Sequence, residues 1–183
     1  AVAVLEDLEH AKARGATILA EVTGVSKTVD GGTKPTELEA ENIGHSLASA
    51  WVTRRLEEGE PVDALPDVLV GHLTGTGYGD RVEPEGYRIA FGAKGILLIP
   101  IVANKEGLAH TLGASGALSA VNAIQMIQKG IILPFAGQEN RDPAVSDLKL
   151  LTHPEEKDVK RAVVFSGGCG GFMSTAVLAA YKE

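Results

Sequence analysis

The sequence predicts an α/β fold in which helices cover both faces of a mixed β-sheet. Short apolar runs bounded by glycine and turn residues alternate with longer stretches of helical periodicity, and the last strands read as antiparallel. The chain has 183 residues, 44% of them hydrophobic, enough for one domain that buries roughly 70% of its unfolded surface. With only 4% aromatics and 22 glycines, packing must rest on Ala, Val, Leu and Ile brought close by small residues, which suits helices lying tightly on a sheet.

Residues 1–5 read as a strand that runs into a short charged helix over residues 6–14, stopped at Gly15. Residues 16–25 set Ile18, Ala20 and Val22 against Thr17, Glu21 and Thr23, the period of a half-buried strand at an edge or between domains. The Gly, Thr, Asp and Lys residues of 26–35 form a surface loop. Thr36 caps a helix with Glu37, Glu39 and Glu41 in its first turns and Ile43, Leu47, Ala50 and Trp51 on one face, ending near Gly59.

Residues 67–71 are the next strand and deliver His72. Asp80 opens a helix whose first turn tolerates Pro84. Residues 96–102 are a buried strand that delivers Lys105 and His110. The helix over 113–129 opens on small residues that permit close backbone contact, and it turns Val121, Ile124 and Ile127 to the core. Strands over 131–135, 149–151, 162–165 and 173–180 complete the pattern.

A net charge of −7 argues against a nucleic-acid surface, which needs a basic face. The single cysteine forms no internal disulfide, so nothing points to an oxidising compartment and the cytoplasm is expected. The longest apolar stretch, residues 95–103, falls far short of the roughly 20 residues of a membrane helix. The chain opens inside an apolar run, which reads as truncation of a longer protein.

Two motifs place a histidine after a predicted strand, beside glycine and threonine and ahead of a helix: His72-Leu-Thr-Gly-Thr76-Gly-Tyr-Gly-Asp80 and Lys105-Glu-Gly-Leu-Ala-His110-Thr-Leu-Gly-Ala-Ser-Gly116. Polar groups at strand ends of this kind meet over a substrate. In order, spacing and flanks the pair resembles the two histidine motifs of β-ketoacyl synthases, the condensing enzymes of fatty acid and polyketide synthesis. The likeness spans nearly the whole chain, which is similar to the carboxy-terminal half of such an enzyme.

This resemblance implies a thiolase-like half-domain over residues 1–183, with a mixed five-stranded sheet. It implies that the amino-terminal half, with the nucleophilic cysteine, lies elsewhere, so that this chain alone is inactive. His72 and His110 become N–H donors to the oxygen of a malonyl thioester losing carbon dioxide. Lys105 supports the histidines, and Glu83 is its acidic partner, since a buried cation and carboxylate persist only together. Thr74, Thr76, Gly168 and Cys169 become substrate-binding positions. The implied partners are an acyl carrier protein bearing acyl or malonyl phosphopantetheine, the missing half, and a second condensing subunit in a homodimer or heterodimer. No cofactor and no metal are expected.

Departures from the family pattern are informative. Leu73 stands for the usual glycine after the first histidine and Ala109 for the glycine before the second, each adding bulk next to the site. Phe165-Ser-Gly-Gly-Cys-Gly-Gly-Phe172 resembles the family turn Asn-Ser-Phe-Gly-Phe-Gly-Gly-Thr-Asn, with Gly167 and Cys169 in place of the two phenylalanines. There a backbone N–H completes an oxyanion hole, so Cys169 retains the donor while the gate over the acyl pocket is lost. These departures favour, as the second reading, a non-catalytic partner subunit of the chain-length-factor type. A thiolase is a weaker third, because its cysteine would precede the glycine run that here contains Cys169. Cys169 as nucleophile and a zinc site both lack the required setting. Gly75-Thr-Gly-Tyr-Gly79 resembles a phosphate loop, but it lacks the following lysine and Asp80 would repel phosphate.

Overall fold

The computed structural model describes residues 1–183 except 31–36, 60, 62–63, 139–140 and 183, with the backbone alone at 55–58. Its centre is a five-stranded sheet built from β1 (Glu21–Val29), β2 (Val68–Val70), β3 (Ile101–Val102), β6 (Arg161–Gly168) and β7 (Phe172–Ala179). The spatial order is β1-β7-β6-β2-β3. β2 runs parallel to both β3 and β6, whereas β7 is antiparallel to β6 and to β1. A separate antiparallel pair joins β4 (Ile131–Ile132) to β5 (Glu155–Glu156).

Helices occupy both faces. Against one lie α2 (Ala40–Glu58) and α3 (Gly79–Phe91), whose Ile43, Leu47 and Tyr87 share a core with Leu69, Ile101, Val163, Phe165 and Val177. Against the other lies α5 (Ser115–Lys129), whose Ala123, Met126 and Ile127 pack with Val68, Val70, Val102, Val164 and Leu178. β2 is therefore buried on both sides, which explains its uninterrupted Val-Leu-Val. Among the described residues two short α-helices remain, α1 (Leu8–Ala13) and α4 (Lys105–Leu108).

Close helix contact depends on glycine, as the composition implies. A Cβ at Gly86 of α3 would stand 2.6 Å from the Cβ of Ile43 and 3.0 Å from the Ala40 carbonyl oxygen, while one at Gly44 of α2 would stand 2.7 Å from the Cβ of Ile89. Each isoleucine thus sits over the other helix's glycine. At the sheet edge, Gly24 of β1 lies under the Ala50 carbonyl of α2, and a buried hydroxyl chain runs from Ser26 through Ser46 to Thr175 at 2.9 Å per step.

Several expectations need correction. Residues 1–5 form no strand; Val2, Val4 and Leu5 are more than three-quarters exposed, and no described strand lies beside them to pair their backbone groups. The edge strand is Glu21–Val29, later than residues 16–25, and an irregularity between Val22 and Gly24 changes which face each side chain meets. Gly24 and Ser26 turn inward while Val22, Val25 and Val29 are exposed.

The apolar run 96–102 is mostly not strand. Ile96–Leu98 is a 3₁₀ turn, with Ile96 and Ile99 fully buried at its period of three and Leu98 exposed. Residues 149–151 join no ladder, although the Lys149 carbonyl accepts the Ile101 N–H at 3.0 Å. Pro84 falls in the second turn of α3, beyond the first turn. Glu37 and Glu39 precede α2 and Glu41 lies in its first turn; of the expected loop 26–35, residues 26–29 belong instead to β1, and residues 31–35 with Thr36 lie outside the described residues. On α5, Val121 and Ile124 are only partly buried.

Replacing Gly86 by alanine should lower the unfolding free energy by about 1–3 kcal/mol, because the new methyl meets β-branched and backbone atoms that cannot swing away. Urea denaturation measures this. An unchanged or higher midpoint would show that helix propensity outweighs the close approach.

Candidate active site

Three parallel strands end at one edge of the sheet. β2 leads out through Gly71 to His72, β3 leads through Asn104 to Lys105, and β6 ends at Ser166–Gly168 in numbering order toward the hairpin. The first turn of α5 arrives at the same place, since a Cβ at Gly116 would lie 3.4 Å from Ser166 Oγ. This is the edge at which α/β sheets assemble polar groups from separate segments.

The structure brings the two motif histidines together. The rings of His72 and His110 lie 5.3 Å apart, centroid to centroid, and nearly perpendicular at 83°. His110 is exposed, and its Nδ1 accepts the Leu112 N–H at 3.2 Å, which leaves Nε2 to carry the proton of the neutral ring. His72 is half-buried, and among the described residues its buried Nδ1 has no hydrogen-bond partner. Burial foremost, then the Lys105 ammonium and the neighbouring His110, drive the His72 pKa down to about 3. At neutral pH this ring is an uncharged donor.

Lys105 and Glu83 hold His72 by its backbone. The Lys105 ammonium donates to the His72 carbonyl, while the Glu83 carboxylate accepts the N–H groups of His72, at 2.5 Å, and Leu73, at 2.8 Å. Lys105 and Glu83 make no direct ion pair among the described contacts. The two charges act on each other across the peptide between them, which each of them binds. Burial pulls Lys105 below the ordinary lysine value and pushes Glu83 up to about 7 against the donors around it.

The loop after β2 is organised by its own side chains. Asp80 accepts the Gly75 N–H at 3.1 Å, and the Thr76 hydroxyl accepts the N–H of Gly79, the first residue of α3, at 3.1 Å. Thr74 lies 3.2 Å from Thr76, hydroxyl to hydroxyl. At least one of the loop's amides is thus already engaged by a carboxylate. Leu73, expected to crowd the site, is buried in the helix-side core.

At the β6–β7 turn, Gly168 pairs with Phe172, and Cys169 stands exposed at the tip. Among the described contacts none joins Cys169 to either histidine. The neighbour of His72 is Gly167: a Cβ there would lie 3.3 Å from His72 Cδ2, and Leu38 already fills its place. Sequence reading missed Leu38, which nothing in its local pattern marks. It also missed Tyr87, whose spacing four residues after Glu83 puts both on one helix face.

Residues 19–139 match the family described as Beta-ketoacyl synthase, C-terminal domain, and the chain belongs to that family, with its thiolase-like fold. It is 37% identical to a chloroplastic 3-oxoacyl-[acyl-carrier-protein] synthase II of Arabidopsis thaliana, over 99% of this chain and 32% of that protein. With 3-oxoacyl-[acyl-carrier-protein] synthase 1 of Escherichia coli K12 it shares 32% identity, over 98% of this chain and 41% of the relative. The structure superposes on a β-ketoacyl synthase from Burkholderia phymatum with a TM-score of 0.85 at 28% identity, covering 97% of this chain and 41% of that one. It superposes on the ishigamide ketosynthase/chain length factor with a TM-score of 0.82, also at 28% identity, covering 96% and 41%. The chain therefore spans between a third and two-fifths of the length of these relatives. Among the described residues, no helix is long and apolar enough to cross a membrane.

Two predictions follow from the site's geometry. His72 has a folded pKa below its unfolded one, so it contributes stability above about pH 6.5 that is lost as pH falls toward 3. The unfolding free energy of the parent minus that of His72→Gln should therefore rise from pH 3 to 6.5 and then level off; a flat difference would refute the shift. Separately, Ala109 holds φ 58° and ψ 174°, a region that only glycine enters freely. Ala109→Gly should gain about 1 kcal/mol in chemical denaturation, strain relief exceeding the glycine's extra unfolded-state entropy.

Proposed function

We propose that this chain is the carboxy-terminal domain, residues 1–183, of a 3-oxoacyl-[acyl-carrier-protein] synthase, and that His72 and His110 are its decarboxylation donors. The observation that carries this reading is the pair of imidazoles 5.3 Å apart, with His72 held uncharged and the proton of His110 fixed on Nε2. When a malonyl thioester loses carbon dioxide, the electrons of the broken C–C bond move onto the thioester carbonyl. Two N–H donors stabilise that oxygen without surrendering a proton. The carbanion then attacks an acyl thioester, forming the new C–C bond as a thiolate leaves.

In this reading the thiol that carries the acyl group belongs to the amino-terminal half, and this chain alone does not condense. Lys105 and Glu83 position His72. Thr74, Thr76, Gly168 and Cys169 border the path of the substrate, delivered on acyl carrier protein phosphopantetheine. A relative of known structure supports that partner: a type II polyketide ketosynthase, AntDE, in complex with its acyl carrier protein AntF. A homodimer or heterodimer in the cytoplasm completes the proposal.

The second reading, a chain-length-factor-like partner subunit, draws support from the similarity to the ishigamide ketosynthase/chain length factor and from the absence of a side chain at Gly167 beside His72.

The test is the intact mass of the native gene product together with its decarboxylation of malonyl-acyl carrier protein. We expect a mass well above 19.0 kDa and a loss of about a hundredfold to a thousandfold in His72→Ala and in His110→Ala, matching about 2.7–4 kcal/mol for one lost donor. A product of 19.0 kDa that is inert would favour the partner subunit. A native product whose rate ignores both substitutions would overturn the two-histidine role.

A further inference from the structure

Tyr87 lies in α3, fully buried, and donates its hydroxyl to Oε1 of Glu83. The same carboxylate accepts the backbone N–H groups of His72 and Leu73. Tyr87 is also the reason that residue 71 is a glycine: a Cβ on Gly71 would collide with the Tyr87 hydroxyl, and it would come within 3.2 Å of Glu83 Oε1. The residue immediately before His72 has thus given up its side chain to the oxygen of a tyrosine from another element. A phenol placed there only to fill the core would be served as well by phenylalanine, with no buried hydroxyl to satisfy.

We infer that Tyr87 is a positioning residue of the candidate active site, its hydroxyl holding the Glu83 carboxylate in the alignment that fixes the His72 peptide, with Gly71 as the space it requires. The inference rests on the two-histidine reading for its link to catalysis, but not for its geometry. Removing the hydroxyl takes one donor from a buried carboxylate, and a carboxylate with fewer donors binds its proton more tightly. The groups that face Glu83 are Tyr87 from its own helix, the two amides after β2 and the Lys105 ammonium from α4. Asp80 acts on Tyr87 from the start of α3, and Glu106 acts on Lys105. Of these, only the Tyr87 bond changes in Tyr87→Phe.

The experiment follows the His72 backbone amide by NMR in the 183-residue chain labelled with ¹⁵N-histidine, where only five histidines report. Its chemical shift registers protonation of Glu83. In Tyr87→Phe the midpoint should move upward by about one pH unit, a tenfold rise in proton affinity. Gly71→Ala, which displaces the hydroxyl while keeping Tyr87, should move it the same way, and adding Tyr87→Phe to Gly71→Ala should recover stability lost to the collision. In the parent chain, the Tyr87 Cζ resonance should titrate with the same midpoint as the His72 amide. That comparison needs no variant, so the inference stays testable if a variant fails to fold.

An unmoved midpoint in Tyr87→Phe, or a Tyr87 resonance blind to the His72 titration, overturns the inference whatever the activity. Decarboxylation by the native gene product then separates the two levels. Tyr87→Phe should lower kcat with KM unchanged and move the acid limb of the profile upward with the amide midpoint. A moved midpoint with an unmoved acid limb overturns the positioning role. Insensitivity to His72→Ala and His110→Ala overturns instead the reading on which that role rests.

Discussion

The buried carboxylate of Glu83 is the constraint on which the site's geometry depends. A carboxylate removed from water costs several kcal/mol unless its lone pairs are used, and every donor that uses them here fixes something else. The His72 and Leu73 amides are fixed as they leave β2, Tyr87 fixes the carboxylate relative to α3, and Lys105 completes the arrangement on the carbonyl side of His72. The close approach of α2 and α3 through Gly44 and Gly86 belongs to the same arrangement, because it sets where α3, and so Glu83, stands against the sheet. His72 itself needs no side-chain hydrogen bond to be placed. Its peptide is held from both sides, and its ring is kept neutral by the burial that results.

The departures from the family pattern have separate physical outcomes. Leu73 is buried in the core that α2 and α3 form against the sheet. Ala109 retains a backbone conformation suited to glycine, so the cost there is backbone strain. At Gly167 the lost side chain is replaced from elsewhere: Leu38, ahead of α2, occupies the space beside His72 and has its carbonyl bound by the Tyr78 hydroxyl at 3.3 Å. The space beside His72 that Gly167 leaves is thus occupied by an apolar side chain from another segment, whereas Cys169, which stands where the gate was expected to be lost, is exposed at the hairpin tip.

What was legible in the sequence was local and periodic. The histidine motifs, Val68–Val70, the core face of α2 and the order of alternating elements all follow from patterns within a few residues. What was not legible depends on contacts between distant segments. The run around Ile96–Leu98 is as apolar as a strand, and only its place after α3 makes it a 3₁₀ turn. The edge strand alternates correctly, but the irregularity between Val22 and Gly24 reverses the inference about which residues are inside. The spacing from the first histidine motif marks Glu83 as a partner for Lys105, but the peptide between them and the hydroxyl of Tyr87 arise from contacts between distant segments, because a sequence does not show which glycine is shaped by which distant side chain.

The two histidines are unequal, and the inequality bears on how the proposed chemistry would be completed. A donor aimed at a developing oxyanion gains strength as water is excluded. His72 is partly withdrawn from water, whereas His110 is exposed. On the α5 side of the sheet, Val25, Lys27 and Val29 of β1 stand in register with Ala176, Ser174 and Phe172 of β7, and Val25, Val29 and Phe172 are more than half exposed. An open cleft of about 330 Å³ crosses this face over Lys27, Ser166, Gly168, Phe172 and Ser174, next to the first turn of α5. Under the proposed reading, the segment that brings the nucleophilic thiol to this edge would also shield the exposed histidine from water. The arrangement of donors is then intrinsic to this chain, while the low dielectric that makes them effective comes with the thiol. On that reading, decarboxylation would be coupled to the presence of the group that consumes its carbanion.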